Sequence, residues 1–296
     1  MTTPSANDIH RRAIIVDGHC DTPYRIRRHS VSMADPDPAA QLDLRTLQAS
    51  GITASFFAAY VPPHYAGRGA ATFALEQIDL IHAEAEKHPD VLALGTDAES
   101  IRRAKRENKV ALMIGVEGGH AIEDSLDTLR ALYDRGARYL TLTHVNTNNW
   151  ADSSGDGGRH GGLTDFGRTV VRTMNDLGMI VDISHVSDAC FYHALETSRV
   201  PIIASHSSCR ALTRHPRNMT DPMLVDLAAA GGICMINFFS AFINDDVAEV
   251  LLAAGKHARQ SPTDFEEIPD DRVHWKEFLD WYDSLGCPKA KIDDAI

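Results

Sequence analysis

Ile180-Val181-Asp182-Ile183-Ser184-His185 and, one helix length further on, Ile202-Ile203-Ala204-Ser205-His206 form the stretch that decides the fold. Each piece is a short apolar run with β-branched residues that stops on a histidine. Runs of this length read as strands buried on both faces. The same reading fits Ile14-Ile15-Val16-Asp17-Gly18-His19-Cys20-Asp21, Ala111-Leu112-Met113-Ile114-Gly115-Val116-Glu117 and Tyr139-Leu140-Thr141-Leu142-Thr143-His144. A further run, Ile233-Cys234-Met235-Ile236-Asn237, ends on an amide. In a barrel of parallel strands all the C-terminal strand ends converge on one mouth, where the chemistry sits. Scattered histidines and acids thereby become candidates for a single cluster of the metal-dependent hydrolase type.

Working outward, seven strands are expected at residues 13–17, 52–60, 110–117, 138–144, 179–185, 201–206 and 232–237. Between them lie helical patterns at 42–50, 72–87, 126–133, 166–177, 188–197 and 223–230, with Asp97 and Asp124 placed as N-caps or first-turn acids. Repeated βα units imply right-handed crossovers and a parallel sheet. The expected fold is α/β, a (β/α)8 TIM-like barrel, as a single domain over residues 1–296. A closed barrel needs eight strands, and residues 244–296 read as helical or polar, with helices near 245–254 and 273–284. The intact protein is therefore expected to continue past Ile296 with an eighth strand ending in an aspartate.

Composition narrows the function. A chain of 296 residues, 44% hydrophobic, has enough apolar material for one large α/β domain. A formal net charge of −12 argues against a nucleic-acid partner, since phosphate binding needs a basic surface. The five cysteines include no CxxC pair and read as reduced thiols. Residues 1–8 lack the basic and apolar regions of a signal peptide, and no apolar run reaches the ~20 residues that span a bilayer. A cytoplasmic enzyme with no membrane partner is expected.

The candidate chemistry lies at the strand ends. His19 and Asp21 stand two apart, so alternation along an extended segment points both to one face. Imidazole and carboxylate suit zinc or a related divalent ion, although a lone His-x-Asp equally suits loop hydrogen bonds. Glu117 closes an apolar run before Gly118-Gly119, and a carboxylate there must be neutralised by cations or by a buried arginine. His185 and His206 end consecutive units. Three histidines, one aspartate and one glutamate suffice for two metals with a bridging carboxylate. His144 reads as substrate-facing or as a structural histidine. Arg217, in His215-Pro216-Arg217-Asn218, reads as a holder of an anionic substrate group or as a solvated loop residue.

Taken together, Asp17-Gly18-His19-Cys20-Asp21-Thr22, Gly115-Val116-Glu117-Gly118-Gly119, Leu142-Thr143-His144 with Asn149-Trp150-Ala151-Asp152, Asp182-Ile183-Ser184-His185-Val186-Ser187, and Ser205-His206-Ser207-Ser208 with Arg217-Asn218 resemble the renal (membrane) dipeptidase family. The resemblance runs in order from residue 14 to about 240 and implies a zinc metallopeptidase that hydrolyses dipeptides with a metal-bridging hydroxide. It implies two Zn2+ per chain: His19 and Asp21 on one, His185 and His206 on the other, and Glu117 between them. It also implies catalytic roles for Glu117 and His144, substrate contacts from His144 and Arg217, and a homodimer. The family's proton-shuttling aspartate, in a G-x-G-S-D-F-D-G segment, has no counterpart here. Two other functions fit the same strand-end ligands. One is an amidohydrolase-like lactonase or cyclic amidase, which calls for a strand ending on lysine. The other is a metal-binding pseudo-hydrolase without catalysis.

Overall fold

Strands and helices alternate along the chain, and the computed structural model describes residues 4–35 and 42–258. By its contacts the chain divides into two units, Met1–Leu140 with Leu177–Met179, and Thr141–Asp176 with Ile180–Ile296. The first unit carries α1 (Ala6–Arg12), β1 (Val16–Cys20), α2 (Thr22–His29), α3 (Leu44–Ser50), β2 (Ala54–Tyr60), α4 (Ala70–Lys87), β3 (Leu92–Leu94), α5 (Ala98–Arg106), β4 (Val110–Glu117), α6 (Leu126–Asp134) and β5 (Ala137–Thr141). Its strands run in the order β1-β2-β4-β5, with β3 on β4. The pairings of β1 with β2, β2 with β4 and β3 with β4 are all parallel. All eight residues of β4 are buried, as expected of a parallel strand covered on both faces. Phe57, Ile78, Leu112, Ile114 and Tyr139 fill the core, each side chain of this size contributing about 1.5–3 kcal/mol by leaving water.

The second unit carries α7 (Asp165–Leu177), β6 (Ile180–Asp182), α8 (Asp188–Thr197), β7 (Ile203–Ser207), α9 (Asp221–Ala229), β8 (Ile233–Ile236), α10 (Ser240–Ile243) and α11 (Asp245–Ala258). Its strands run β6-β7-β8, again parallel. Trp150, Val170, Val171, Val181 and Phe191 form its buried centre.

Seven strands fall where the sequence places them, but their ends differ in ways that matter for the site. The strand expected at 13–17 runs instead from Val16 to Cys20, so His19 lies within it. The strands expected to reach His144 and His185 stop at Thr141 and Asp182. Asp182 causes its own strand to end: its Oδ1 accepts the Ser184 N–H at 3.1 Å, a local turn that competes with the ladder. β3 is an eighth strand that the sequence pattern does not show, three residues long and beside the order of the others. Helices α1, α2 and the one-turn α10 are also not expected from the sequence. In α1, Ser5 and Asp8 form a capping box; in α2, Asp21 stands at the N-cap and Pro23 in the first turn. Asp97 caps α5 as expected, whereas Ser125, not Asp124, caps α6. The helix expected at 273–284 and the continuation past Ile296 lie outside the described residues.

Candidate metal centre

In the first unit β1 reaches the site through a bulge. Its register with β2 runs Asp17↔Ser55 and then Cys20↔Phe57, so three steps on β1 oppose two on β2. A bulge re-aims the side chains beside it, a device common next to active sites. The simple alternation argument for His19 and Asp21 therefore fails: Asp21 has φ −85° and ψ 13° and is not extended. The two side chains meet nonetheless. His19 Nε2 lies 3.3 Å from Asp21 Oδ1 and 3.5 Å from Glu117 Oε2. Glu117, at the end of β4, is 3% exposed. Its backbone stays in the sheet, its carbonyl accepting the Val61 N–H at 3.1 Å. The chain then turns away at Gly118, whose φ of 102° and the His120 ring 2.6 Å from any added Cβ both require glycine.

Around His19 the electrostatics favour positive charge. Burial alone would lower the imidazole's pKa, but Tyr139, Glu117 and Asp21 outweigh it and hold it well above the usual histidine value. Tyr139 Oη contacts His19 Nδ1 at 2.9 Å and the Gly18 carbonyl at 3.4 Å. With the phenol donating to that carbonyl, Nδ1 carries its own proton, and a cation between Nε2 and the carboxylates, either a second proton or a metal ion, satisfies all three groups. Burial, only partly offset by Thr22, pushes the neighbouring Cys20 thiol up to about 11.

In the second unit, β7 repeats the device. Ala204↔Cys234 is followed by Ser207↔Ile236, so His206 also sits in a register shift at a strand end. His206 Nε2 lies 3.0 Å from His185 Nε2, with ring centroids 5.0 Å apart. His185 has φ 70°, a left-handed conformation uncommon outside glycine and found at sites that need it. Its carbonyl is held by the Ser154 N–H at 2.8 Å and Ser154 Oγ at 3.1 Å. Ser153 Oγ, 3.3 Å from that carbonyl, gives its one proton to the His144 carbonyl at 2.5 Å. His144 stacks on His185 with centroids 4.4 Å apart. Arg217 is anchored by Nη2 to the His206 carbonyl at 3.1 Å and lies 5.3 Å above the Phe242 ring. A cavity of about 570 Å³ in this unit opens among Ser153, Asp156, Arg159, Asp188 and Arg210, and none of the expected ligands lines it.

The structure thus gathers His19, Asp21 and Glu117 in one unit and His144, His185, His206 and Arg217 in the other. Both donor sets fit a divalent metal. The first turns one imidazole nitrogen and two carboxylates toward each other; the second brings two imidazole nitrogens to 3.0 Å. Nitrogen and carboxylate oxygen without thiolate is a zinc-compatible set. Among the described residues no strand ends on lysine, which leaves the amidohydrolase alternative without its bridging group.

Parallel βα units with histidines and acids at strand ends define an α/β, TIM-like barrel of the metal-dependent hydrolase class. Residues 3–295 match the model of one such family, the membrane dipeptidases (peptidase family M19), and the chain belongs to that family. Over 240 residues, 76% of its length, it is 39% identical to dipeptidase verJ of Clonostachys rogersoniana, covering 62% of that protein. Over 232 residues, 75% of its length, it is 39% identical to dipeptidase 3 of Mus musculus, covering 46% of it. The match therefore spans roughly half to three-fifths of these relatives. The crystal structure of the probable dipeptidase PvdM from Pseudomonas aeruginosa has the same fold, with a TM-score of 0.77, 24% identity, and coverage of 98% of this chain and 80% of that one.

Sequence reasoning passed over Ser205, Tyr139, Ser153 and Ser154, which touch the expected site residues, and Asp182, which reaches His206 through Ser205. Asp182 and Ser205 carried a signal: each is a polar residue inside an otherwise apolar run, and it is buried only with a partner.

Proposed function

We propose that the protein is a metal-dependent dipeptidase carrying two zinc ions per chain. His19 and Asp21 would hold one ion and His185 and His206 the other, with Glu117 the carboxylate that would serve both. The observation that carries this reading is the convergence of the buried His19 Nε2 on the exposed Asp21 carboxylate at 3.3 Å and the buried Glu117 carboxylate at 3.5 Å, an arrangement that favours positive charge. Bound there, two divalent ions supply Lewis-acid activation of the peptide carbonyl and of the attacking water. The chain's own residues do the rest. His144, packed on His185, is positioned to stabilise charge that develops on the carbonyl oxygen. Arg217, fixed through His206 and Phe242, offers a planar fork to the substrate's C-terminal carboxylate, a bidentate contact that lysine would not reproduce.

Assay of the whole protein on a panel of dipeptides, before and after chelation and after zinc is restored, tests this reading. Hydrolysis lost with the metal and regained with zinc is expected. Bound zinc with no dipeptide hydrolysed would establish a binding role instead, and faster turnover of lactones or phosphotriesters would establish the amidohydrolase role. Two further proposals stand on the family resemblance and the sequence: a homodimer, tested by light scattering, and a cytoplasmic location, tested by fractionation. Among the described residues no helix is long and apolar enough to cross a membrane.

A further inference from the structure

Asp182 and Ser205 lie beside His206, and their contacts decide which of its ring nitrogens carries a proton. Asp182 is wholly buried at the end of β6. Its Oδ1 accepts the N–H groups of Ser184 at 3.1 Å and Ser205 at 2.9 Å, and its Oδ2 accepts Thr141 Oγ1 at 2.5 Å and Ser205 Oγ at 2.7 Å. Ser205 Oγ, in a residue 2% exposed, also lies 2.8 Å from His206 Nδ1 and 3.3 Å from Ser184 Oγ.

Proton counting fixes the direction of this chain. A serine hydroxyl has one proton, and an ionised carboxylate has only acceptors. The 2.7 Å contact with Asp182 Oδ2 therefore takes the Ser205 proton, in preference to the longer contact with Ser184. A lone pair of Ser205 Oγ then faces His206, so the 2.8 Å contact is closed by a proton on Nδ1. A neutral imidazole protonated at Nδ1 keeps its lone pair on Nε2. That is the atom 3.0 Å from His185 Nε2.

We propose that Asp182 and Ser205 are positioning residues that hold His206 as its Nδ1–H tautomer, so that Nε2 is presented as a metal donor. Metal-binding histidines commonly give their other N–H to a carboxylate or carbonyl, which fixes the tautomer and the ring plane; here a serine stands between carboxylate and ring. The His206 main chain is held in the same network, its N–H donating to Ser184 Oγ at 3.0 Å, so ring and backbone are fixed together. The proposal rests on His206 being a metal ligand, as set out above.

The test compares wild type, His206→Ala, Ser205→Ala, Ser205→Thr and Asp182→Asn as full-length protein. Zinc stoichiometry and affinity are measured by competition with a chromophoric chelator, alongside the melting temperature of each metal-free form. Ser205→Ala is expected to weaken one of the two zinc sites about 10–100-fold, the usual effect of removing a partner behind a ligand, while the other site is unchanged. Ser205→Thr, which keeps the hydroxyl, should restore that affinity. Asp182→Asn can donate to Ser205 Oγ and so reverse the chain, moving the proton to Nε2, and should weaken the site at least as much. Nitrogen-15 shifts of the histidine rings in metal-free wild type give a readout that needs no variant: His206 is expected to be protonated at Nδ1. Protonation at Nε2 there would overturn the proposal. So would unchanged zinc affinity in Ser205→Ala when His206→Ala has lost a zinc. Two zincs retained in His206→Ala would overturn the ligand assignment and this inference together.

Discussion

Replacing Gly115 with alanine tests how tightly the first half of the site is built. A Cβ at Gly115 would lie 2.1, 2.2 and 2.6 Å from three carbons of the Tyr139 ring. Ordinary carbon–carbon contact is about 3.5–4.0 Å, so one side must give by more than about 1 Å. β4 cannot yield easily, because Gly115 is in register with Ala58 in a run of seven consecutive pairs with β2. The ring must therefore move, although it is fully buried and packs on Phe56 at 4.9 Å. A shift of that size stretches the 2.9 Å contact to His19 Nδ1 beyond hydrogen-bond range. Overpacking costs about 1–3 kcal/mol and the lost buried bond about 1 kcal/mol, against a gain of about 0.5–1 kcal/mol from replacing a strand glycine. The net expectation is a loss of about 2–3 kcal/mol, or roughly 3–5 °C in Tm at this chain length. Metal affinity at the His19 site should fall as well, by about tenfold or more. Urea unfolding of Gly115→Ala, Tyr139→Ala and the double variant gives the decisive comparison. With the ring gone, alanine at 115 should cost nothing further, so the cycle should show a coupling well above the ~0.5 kcal/mol expected of independent sites. Additive costs would refute the reasoning.

Two more outcomes follow from the second unit. Ser154→Ala removes the Ser154 hydroxyl from the His185 carbonyl and should loosen that residue, which is held at positive φ and proposed as a zinc ligand. About 1 kcal/mol of stability is expected to go, with a severalfold loss of zinc affinity in chelator competition; unchanged affinity would show that the clamp is redundant. His215 bears on acid stability. Burial, with Arg217 and Arg210 nearby, lowers its pKa to about 4, below its value of about 6.5 in an unfolded chain. Because the folded state resists protonation, its contribution is complete above pH 6.5 and is lost as pH falls toward 4. The side chain is only half-buried, so the contribution is on the order of 1–2 kcal/mol. Urea unfolding of His215→Gln across pH 4–7 should show a flatter profile than wild type, and parallel profiles would count against it.

Much of this arrangement was legible in the sequence because parallel strands buried on both faces leave apolar runs with nothing to hide them. β4 is such a run, and Glu117 at its end is a charge that must be neutralised, by cations or by a buried arginine. What the sequence hid was local geometry. Nothing in Asp17-Gly18-His19-Cys20 announces a bulge, because an extra residue is a property of pairing and not of composition. β3 was invisible because three residues are too few for periodicity. Tyr139 looked like core and is core, yet its hydroxyl reaches His19 across 120 positions of sequence. Asp182 and Ser205 lay inside the very strings that defined the strands, and only their partners' positions reveal what they do.

The central claim is that two metal ions bridged by Glu117 carry dipeptide hydrolysis, and it is tested most directly by counting zinc and measuring turnover in Glu117→Gln of the whole protein. Glu117 is 3% exposed and faces His19, so the nearly isosteric amide should leave the fold intact. The account predicts loss of at least one zinc per chain and a fall in kcat of two orders of magnitude or more, with the melting temperature of the metal-free form little changed. Two zincs retained with full turnover on the dipeptide panel would contradict it.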